Sequence, residues 1–147
     1  MLHRPVLVLP FVLIACHPLG PKLETDPQCQ QNRADIERHI ASPAQPPALT
    51  LEGEWGNPKG GVTWVFRQRG AKVDIEVGEQ YTDELGRTRY QVEGVMHGTV
   101  DGPTLYYMHR GPNGLSYGTL SRAGSELAGP RWGECFLNRE FKLSRLR

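Results

Sequence analysis

The chain has 147 residues, of which 38% are hydrophobic and 22% charged, so it is long enough for one domain with a modest core and is not generally disordered. Its formal net charge of +1 gives no indication of a nucleic-acid binder or of a strongly acidic protein. The 17 glycines and 12 prolines indicate a fold with many turns.

The first sixteen residues have the pattern of an export signal that ends in a cysteine. His3 and Arg4 provide a positive start, and the mostly apolar residues 6–15 are too few to cross a bilayer but suit the hydrophobic part of a signal peptide. Residues 13–16, Leu-Ile-Ala-Cys, resemble the lipobox of bacterial lipoproteins, in which a small residue precedes an obligatory cysteine. The alternative is an ordinary secretory signal with a chance cysteine.

The lipobox resemblance implies a lipid-anchored protein of the cell envelope. Cleavage would remove residues 1–15 as the signal peptide and leave the Cys16 thiol acylated, with palmitate or a similar chain. Each buried methylene contributes about 0.8 kcal/mol, and two or more acyl chains give stable anchoring without a spanning helix. His17 is not the aspartate associated with inner-membrane retention, which favours the outer membrane, on its periplasmic or surface side.

Once Cys16 is assigned to the lipid, Cys29 and Cys135 remain as an even pair. Outside the cytoplasm two such cysteines are expected to form a disulfide. The loop that it closes covers most of the mature chain, so the chain-entropy estimate of the stabilisation is about 4–5 kcal/mol. Since no Cys-x-x-Cys motif occurs, we assign this pair a structural role rather than a redox or metal-binding one.

Residues 16–48 are predicted to contain a polar tether, a short helix and a proline-rich linker. Asp26 and Pro27 suit the N-cap and the first helical position. Cys29, Ile36 and Ile40 then fall on one narrow face, which predicts an amphipathic helix over residues 27–40. The following prolines of residues 42–48 form a stiff linker.

From residue 49 onward, apolar and polar residues alternate with period two between glycine-containing turns, which predicts eight short strands. Eight consecutive antiparallel strands hide their edges best by closing on themselves. The sequence therefore predicts a mainly β fold, an eight-stranded antiparallel up-and-down β-barrel over residues 49–147 with one short N-terminal helix. Candidate strands lie within residues 49–55, 64–67, 73–77, 90–100, 104–110, 115–120, 126–132 and 136–144.

Residues 53–55, Gly-Glu-Trp, resemble the Gly-x-Trp motif on the first strand of the lipocalin and avidin-like (calycin-type) barrels. In those families the tryptophan closes one end of the barrel beneath a basic side chain from the last strand. The resemblance implies that Arg139 or Arg145 covers the Trp55 ring by a cation–π contact. The chain is shorter than a lipocalin and has no helix after its strands, which argues against a large ligand cup.

The interior of an eight-stranded barrel is just wide enough to be filled by side chains or to hold one small ligand. Both interpretations remain open here. In the second, the tyrosine hydroxyls orient a ligand in a small apolar pocket, framed by the glycine-rich loops at residues 56–62 and 111–114. The residues assigned to such a ligand site are Trp64, Phe66, Tyr107 and Tyr117.

The sequence contains no familiar catalytic, nucleotide-binding or calcium-binding motif, so we predict no catalytic residue, cofactor or metal site. A tight turn centred on Asp101-Gly102 would pair Thr99 with Thr104. It would also place His97 and His109 on opposite faces of the hairpin, where they cannot share a metal.

The expected function is a membrane-anchored extracytoplasmic binding module rather than an enzyme. Its partners would be the membrane, through the lipid, and either a small hydrophobic ligand or a protein such as a hydrolase to be inhibited; no nucleic-acid partner is expected. A structural or interaction component of the cell envelope without a ligand is the alternative.

Overall fold

The computed structural model describes residues 27–111, 114–133 and 136–147, without the side chains of residues 110 and 136–139. The predicted signal peptide, Cys16 and the tether up to residue 26 lie outside the described residues, as do Cys135 and the side chain of Arg139. The assignments made for them stay predictions.

Among the described residues, the helix α1 (Pro27–Ala41) precedes the strands, as the sequence predicts. The fixed φ of Pro27 suits the first helical position, and Ser42-Pro43 ends the helix because the residue before a proline disfavours the α conformation. Ile36 is the buried residue of α1, which otherwise presents a polar surface with pairs such as Arg33–Glu37. No helix in the described part of the chain is long and apolar enough to cross a membrane.

The strands form a closed barrel in chain order, and every neighbouring pair is antiparallel, which confirms the predicted fold class. Trp55 pairs with Arg145 and Gly56 with Ser144, and these pairs close the barrel between its first and last strands. The strands are β1 (Gly53–Gly56), β2 (Val62–Arg69), β3 (Lys72–Thr82), β4 (Thr88–Asp101), β5 (Thr104–Gly111), β6 (Gly114–Ala123), β7 (Glu126–Gly133) and β8 (Phe136–Arg145).

The first strand is shorter than predicted, because residues 49–52 are not part of the sheet. Leu49 and Leu51 are nevertheless buried. The side-chain amide of Gln68 takes the place of a neighbouring strand: its Oε1 accepts from Leu51 N at 2.9 Å, and its Nε2 donates to the Leu49 carbonyl at 2.9 Å. The alternation of apolar and polar residues in this segment therefore reflects the burial of Leu49 and Leu51 over one end of the barrel rather than strand pairing.

The turn between β4 and β5 is one residue later than predicted. Asp101 pairs with Thr104, so the central residues are Gly102 and Pro103, and the predicted pairing of Thr99 with Thr104 is wrong. Pro103 has no N–H to give to a ladder, and Gly102 adopts the positive φ of 58° that the turn requires.

The corrected register still separates the two histidines. His97 lies on the outer face, where its Nδ1 is 3.0 Å from Asp74 Oδ1. His109 lies beside Gly94: a Cβ atom placed on Gly94 would be 3.4 Å from the His109 Nε2. Gly94 pairs with the inward-facing Val77, so His109 belongs to the interior side.

The barrel has two different ends. We call one the capped end; it contains residues 49–52, the turns that follow β2, β4 and β6, and residues 146–147. We call the other the open end; β1, β3, β5 and β7 run towards it. The main core cluster begins under the cap and fills the barrel with Leu49, Leu51, Trp55, Trp64, Phe66, Val73, Ile75, Met96, Val100, Leu105, Tyr107, Leu120, Leu127 and Leu143.

Helix α1 packs outside the barrel, along β4, β5 and β6. Ile36 is buried against Leu115 and Tyr117 on β6. The end of α1 lies at the capped end, where His39 Nδ1 donates to Asp101 Oδ2 at 2.5 Å. The helix runs from the open-end side towards the capped end, because Ile36, about one turn before His39, packs against Leu115 and Tyr117 in the first half of β6.

Candidate functional site

The capped end is sealed by a tryptophan between two arginines. Trp55 is fully buried, and its Nε1 donates to the Leu51 carbonyl at 3.0 Å. The guanidinium carbon of Arg145, on the last strand, lies 5.6 Å from the centre of the Trp55 ring. Arg122, which the sequence did not single out, lies 5.4 Å from the same ring. Both distances are within cation–π range, so this end is a cap rather than a ligand entrance.

Three of the four predicted ligand residues meet in the core. Trp64 lies 6.1 Å from Phe66 and 5.4 Å from Tyr107, in an edge-on arrangement with Tyr107. All three are almost completely buried, so this part of the interior is filled by side chains. Tyr117 is not with them: it lies on the outer surface against α1, stacked on Trp132 at 5.6 Å.

The Tyr107 hydroxyl is buried without a hydrogen-bond partner among the described residues. It passes over Gly118, where an added Cβ would be 2.5 Å from the Tyr107 oxygen. Burial raises the pKa of the Tyr107 phenol, and the positive charge of Arg131 opposes that shift. Tyr107 therefore acts as an apolar filler whose polar atom is unused in the described part of the chain.

A cleft of about 450 Å³, which we call the open-end cleft, extends beside this core from the β1–β2 loop at the open end to residues 141–143 of β8. Its floor is formed by Trp64 and Phe141, whose ring centres are 5.2 Å apart. Asn57 and Gly60 of the first glycine-rich loop line its rim, whereas the second loop lies partly outside the described residues. The lining residues are Asn57, Gly60, Val62, Trp64, Val77, Glu93, Arg131, Phe141, Lys142 and Leu143.

Among the polar residues of the lining, Arg131 is the one that contacts the aromatic floor. Its guanidinium carbon lies 5.4 Å from the Trp64 ring and 5.3 Å from the Phe141 ring, and its Nε donates to Ser116 Oγ at 3.2 Å. These contacts hold a positive charge over an aromatic floor. Sequence reasoning missed Arg131, because its orientation depends on the irregularity in the β7–β8 pairing between Gly129 and Arg131. Pro130, inside a predicted strand, was the available signal of such a bulge.

A histidine–carboxylate pair on the outer surface is structural. Asp101 accepts from His39 and from the backbone N–H groups of Ala44 and Gln45, at 3.0 and 2.7 Å. These hydrogen bonds hold the pKa of Asp101 below its usual value, and the bond from His39 has the largest effect. They fasten the end of α1 and the linker to β4. In the residues that the structure describes, no three His, Cys, Asp or Glu side chains are grouped to hold a metal ion.

Comparison of the chain with protein-family models, with curated proteins and with solved structures found no match. The class of protein is therefore defined by the architecture of its described residues: a small, closed, up-and-down β-barrel that is capped at one end, carries an aromatic cleft at the other, and has the helix α1 packed on its outside.

Proposed function

We propose that the protein is a lipid-anchored binding module of the bacterial cell envelope, and that the open-end cleft takes a small hydrophobic ligand with an anionic or hydrogen-bond-accepting head. The observation that carries this proposal is the position of Arg131 over the rings of Trp64 and Phe141, at the edge of an otherwise filled barrel. A cleft of about 450 Å³ is within the range of small-molecule sites.

The chemistry of the cleft favours an amphiphile over a fully apolar molecule. An apolar body gains by covering Trp64 and Phe141, because burial of apolar area is worth roughly 25 cal/mol per Å². A carboxylate or similar head gains from the positive charges of Arg131 and Lys142 on the lining, while Glu93 disfavours a head with more than one negative charge. Binding of this kind is non-covalent, and we propose no catalytic step.

The anchoring part of the proposal is supported by the sequence alone. The lipobox-like residues 13–16 support acylation of Cys16, and export supports a Cys29–Cys135 disulfide. Cys16→Ser is expected to abolish incorporation of labelled palmitate and to release the protein from the membrane fraction. A Cys16→Ser protein that still incorporates the label and stays with the membranes would contradict the anchor.

Native mass spectrometry of the mature lipoprotein, released from detergent in the instrument after addition of dodecanoate, tests the cleft. We expect one retained dodecanoate, and a bound fraction that corresponds to about tenfold weaker binding in Arg131→Gln, or about 1.4 kcal/mol. Arg122→Gln is the matched control, since Arg122 covers Trp55 at the other end of the barrel. Failure to retain dodecanoate, or equal retention by Arg131→Gln and the parent protein, would contradict the proposed site.

A further inference from the structure

The exposed large hydrophobic side chains of the described residues are gathered at one end of the molecule. All of them lie at the start of β2 or on the β3–β4 hairpin, in the half of the barrel near the open end. The most exposed is Leu85, at 73%, in the turn of that hairpin. The others are Val62, Tyr81, Tyr90, Val92 and Val95.

The hairpin projects beyond its neighbours. On one side, the pairing of β3 with β2 stops at Glu79. On the other, the pairing of β4 with β5 begins only at His97, so residues 88–96 of β4 pair with β3 alone among the described strands. We call residues 80–96 the projecting hairpin.

The tip of the projecting hairpin is fixed rather than loose. Asp83 Oδ1 accepts from the backbone N–H of Leu85 at 3.0 Å and of Arg87 at 2.9 Å. Its Oδ2 accepts from the side chains of Arg87 and Arg89 at 2.9 and 3.0 Å. Asp83 therefore pairs with both arginines of the tip, and Leu85 is presented outward on an ordered turn beside the exposed Glu84.

The proposed lipid anchor leaves the fold at this same end. Helix α1 begins at Pro27, towards the open end, and the ten residues 17–26 separate it from Cys16. A segment of that length spans at most about 40 Å when extended and about 20 Å as a flexible chain. The anchor would thus hold the open end, with the projecting hairpin, close to the bilayer.

We propose that the projecting hairpin docks into the membrane surface, with Leu85 below the headgroups and Tyr81 and Tyr90 at their level. Tyrosine favours the membrane interface, and apolar side chains enter its first 5–10 Å or so. The inference rests on the proposed anchor, which supplies the high local concentration that lets a few side chains suffice. Docking would turn the open-end cleft towards the source of amphiphilic ligands.

A partner protein or a second copy of the chain is the other kind of occupant that an exposed apolar hairpin suits. The bilayer is favoured because the tether is short and begins on the same side as the hairpin. The experiment must therefore distinguish cover by lipid from cover by protein.

The test uses the acylated mature protein in vesicles of phosphatidylcholine with a minor fraction of phosphatidylglycerol. The environment-sensitive fluorophore NBD is attached to Leu85→Cys and, as the matched control, to Ser125→Cys in the exposed turn at the capped end. We expect the emission from position 85 to shift to shorter wavelength and to fall several-fold when doxyl-labelled lipid is added. The emission from position 125 should remain that of a fluorophore in water.

Three outcomes would overturn the inference. Water-like emission from position 85 on palmitate-labelled, vesicle-bound protein would refute docking and leave the anchor intact. A shifted emission that doxyl lipid does not quench would show that protein covers the hairpin instead. Failure of Cys16 to take up labelled palmitate would remove both the anchor and the docking that depends on it.

Discussion

Asp101 is the side chain on which the attachment of the helix most depends. It is almost fully buried, yet it accepts hydrogen bonds from His39 and from two backbone N–H groups of the linker. Ala44 and Gln45 belong to neither a helix nor a strand, so if Asp101 were replaced, no regular backbone pairing would satisfy their N–H groups. A single carboxylate thus joins β4 to the end of α1 and to the linker that follows it, 56–62 residues earlier in the sequence.

Asp101→Asn is expected to lower the urea midpoint of unfolding at neutral pH. Since hydrogen bonds hold the Asp101 pKa below its usual 3.8, this residue contributes stability above the pKa of the unfolded chain and loses it as the pH falls through the lowered pKa. The difference between variant and parent should therefore shrink in acid. Glu84→Gln, at an exposed position, is the control; an Asp101→Asn difference that stayed constant with pH would count against the argument.

Tyr107→Phe is expected to leave the free energy of unfolding unchanged or to raise it by about 1 kcal/mol, because an unpaired buried hydroxyl is a cost. Tyr107→Leu also removes the ring that packs edge-on against Trp64 and should lower stability by about 2 kcal/mol. Urea denaturation measures both changes. Clear destabilisation by Tyr107→Phe would reveal a bonding partner for the hydroxyl, such as a trapped water or ligand.

At the scale of elements, the close approach of β6 and β7 leaves no room for a side chain at Gly129, where a Cβ would overlap the Thr119 carbonyl oxygen. Gly129→Ala should therefore lower the free energy of unfolding by about 3 kcal/mol. Gly94→Ala is the control, because its Cβ would meet His109 at an ordinary 3.4 Å, and we expect a change below about 1 kcal/mol. Equal melting temperatures for the two variants would contradict this account.

The strands and their closure could be predicted from the sequence because a period of two and eight consecutive strands leave few alternatives. The predicted start of the first strand and the predicted position of the β4–β5 turn are wrong, because a side chain or a proline overrides that period there. Gln68 replaces a strand beside Leu49 and Leu51, and Pro103 moves a turn. The cleft was beyond prediction, because a bulge in β7 that only the folded barrel defines brings Arg131 over Trp64.

At the scale of the whole molecule, the proposed disulfide would join the helix to the barrel. Cys29 lies in the first turn of α1, within electrostatic range of Tyr117, which stacks on Trp132 near the end of β7. Cys135 follows β7 in the sequence. We expect thiol reagents to label neither Cys29 nor Cys135 in the non-reduced mature protein. Reduction, or Cys29→Ser, should lower the free energy of unfolding by about 2–5 kcal/mol.

Labelling of Cys29 or Cys135 in the folded, non-reduced protein would rule out the disulfide. An Ile36→Ala variant is a useful comparison. Ile36 is buried against Leu115 and Tyr117, so the substitution is expected to weaken the packing of α1 on the barrel without changing the cysteines. If Ile36→Ala exposes the helix to protease while the thiols stay protected, packing and covalent linkage contribute separately.

The short pairing between β4 and β5 has a consequence for how the barrel fluctuates. Where β4 has one neighbouring strand, backbone amides on its free side should exchange hydrogen for deuterium rapidly, while those of residues 97–101 should be protected. The barrel wall would then open locally beside β4 while the other strands stay paired. Access of water to the filled core would follow the rate of this local opening rather than that of global unfolding.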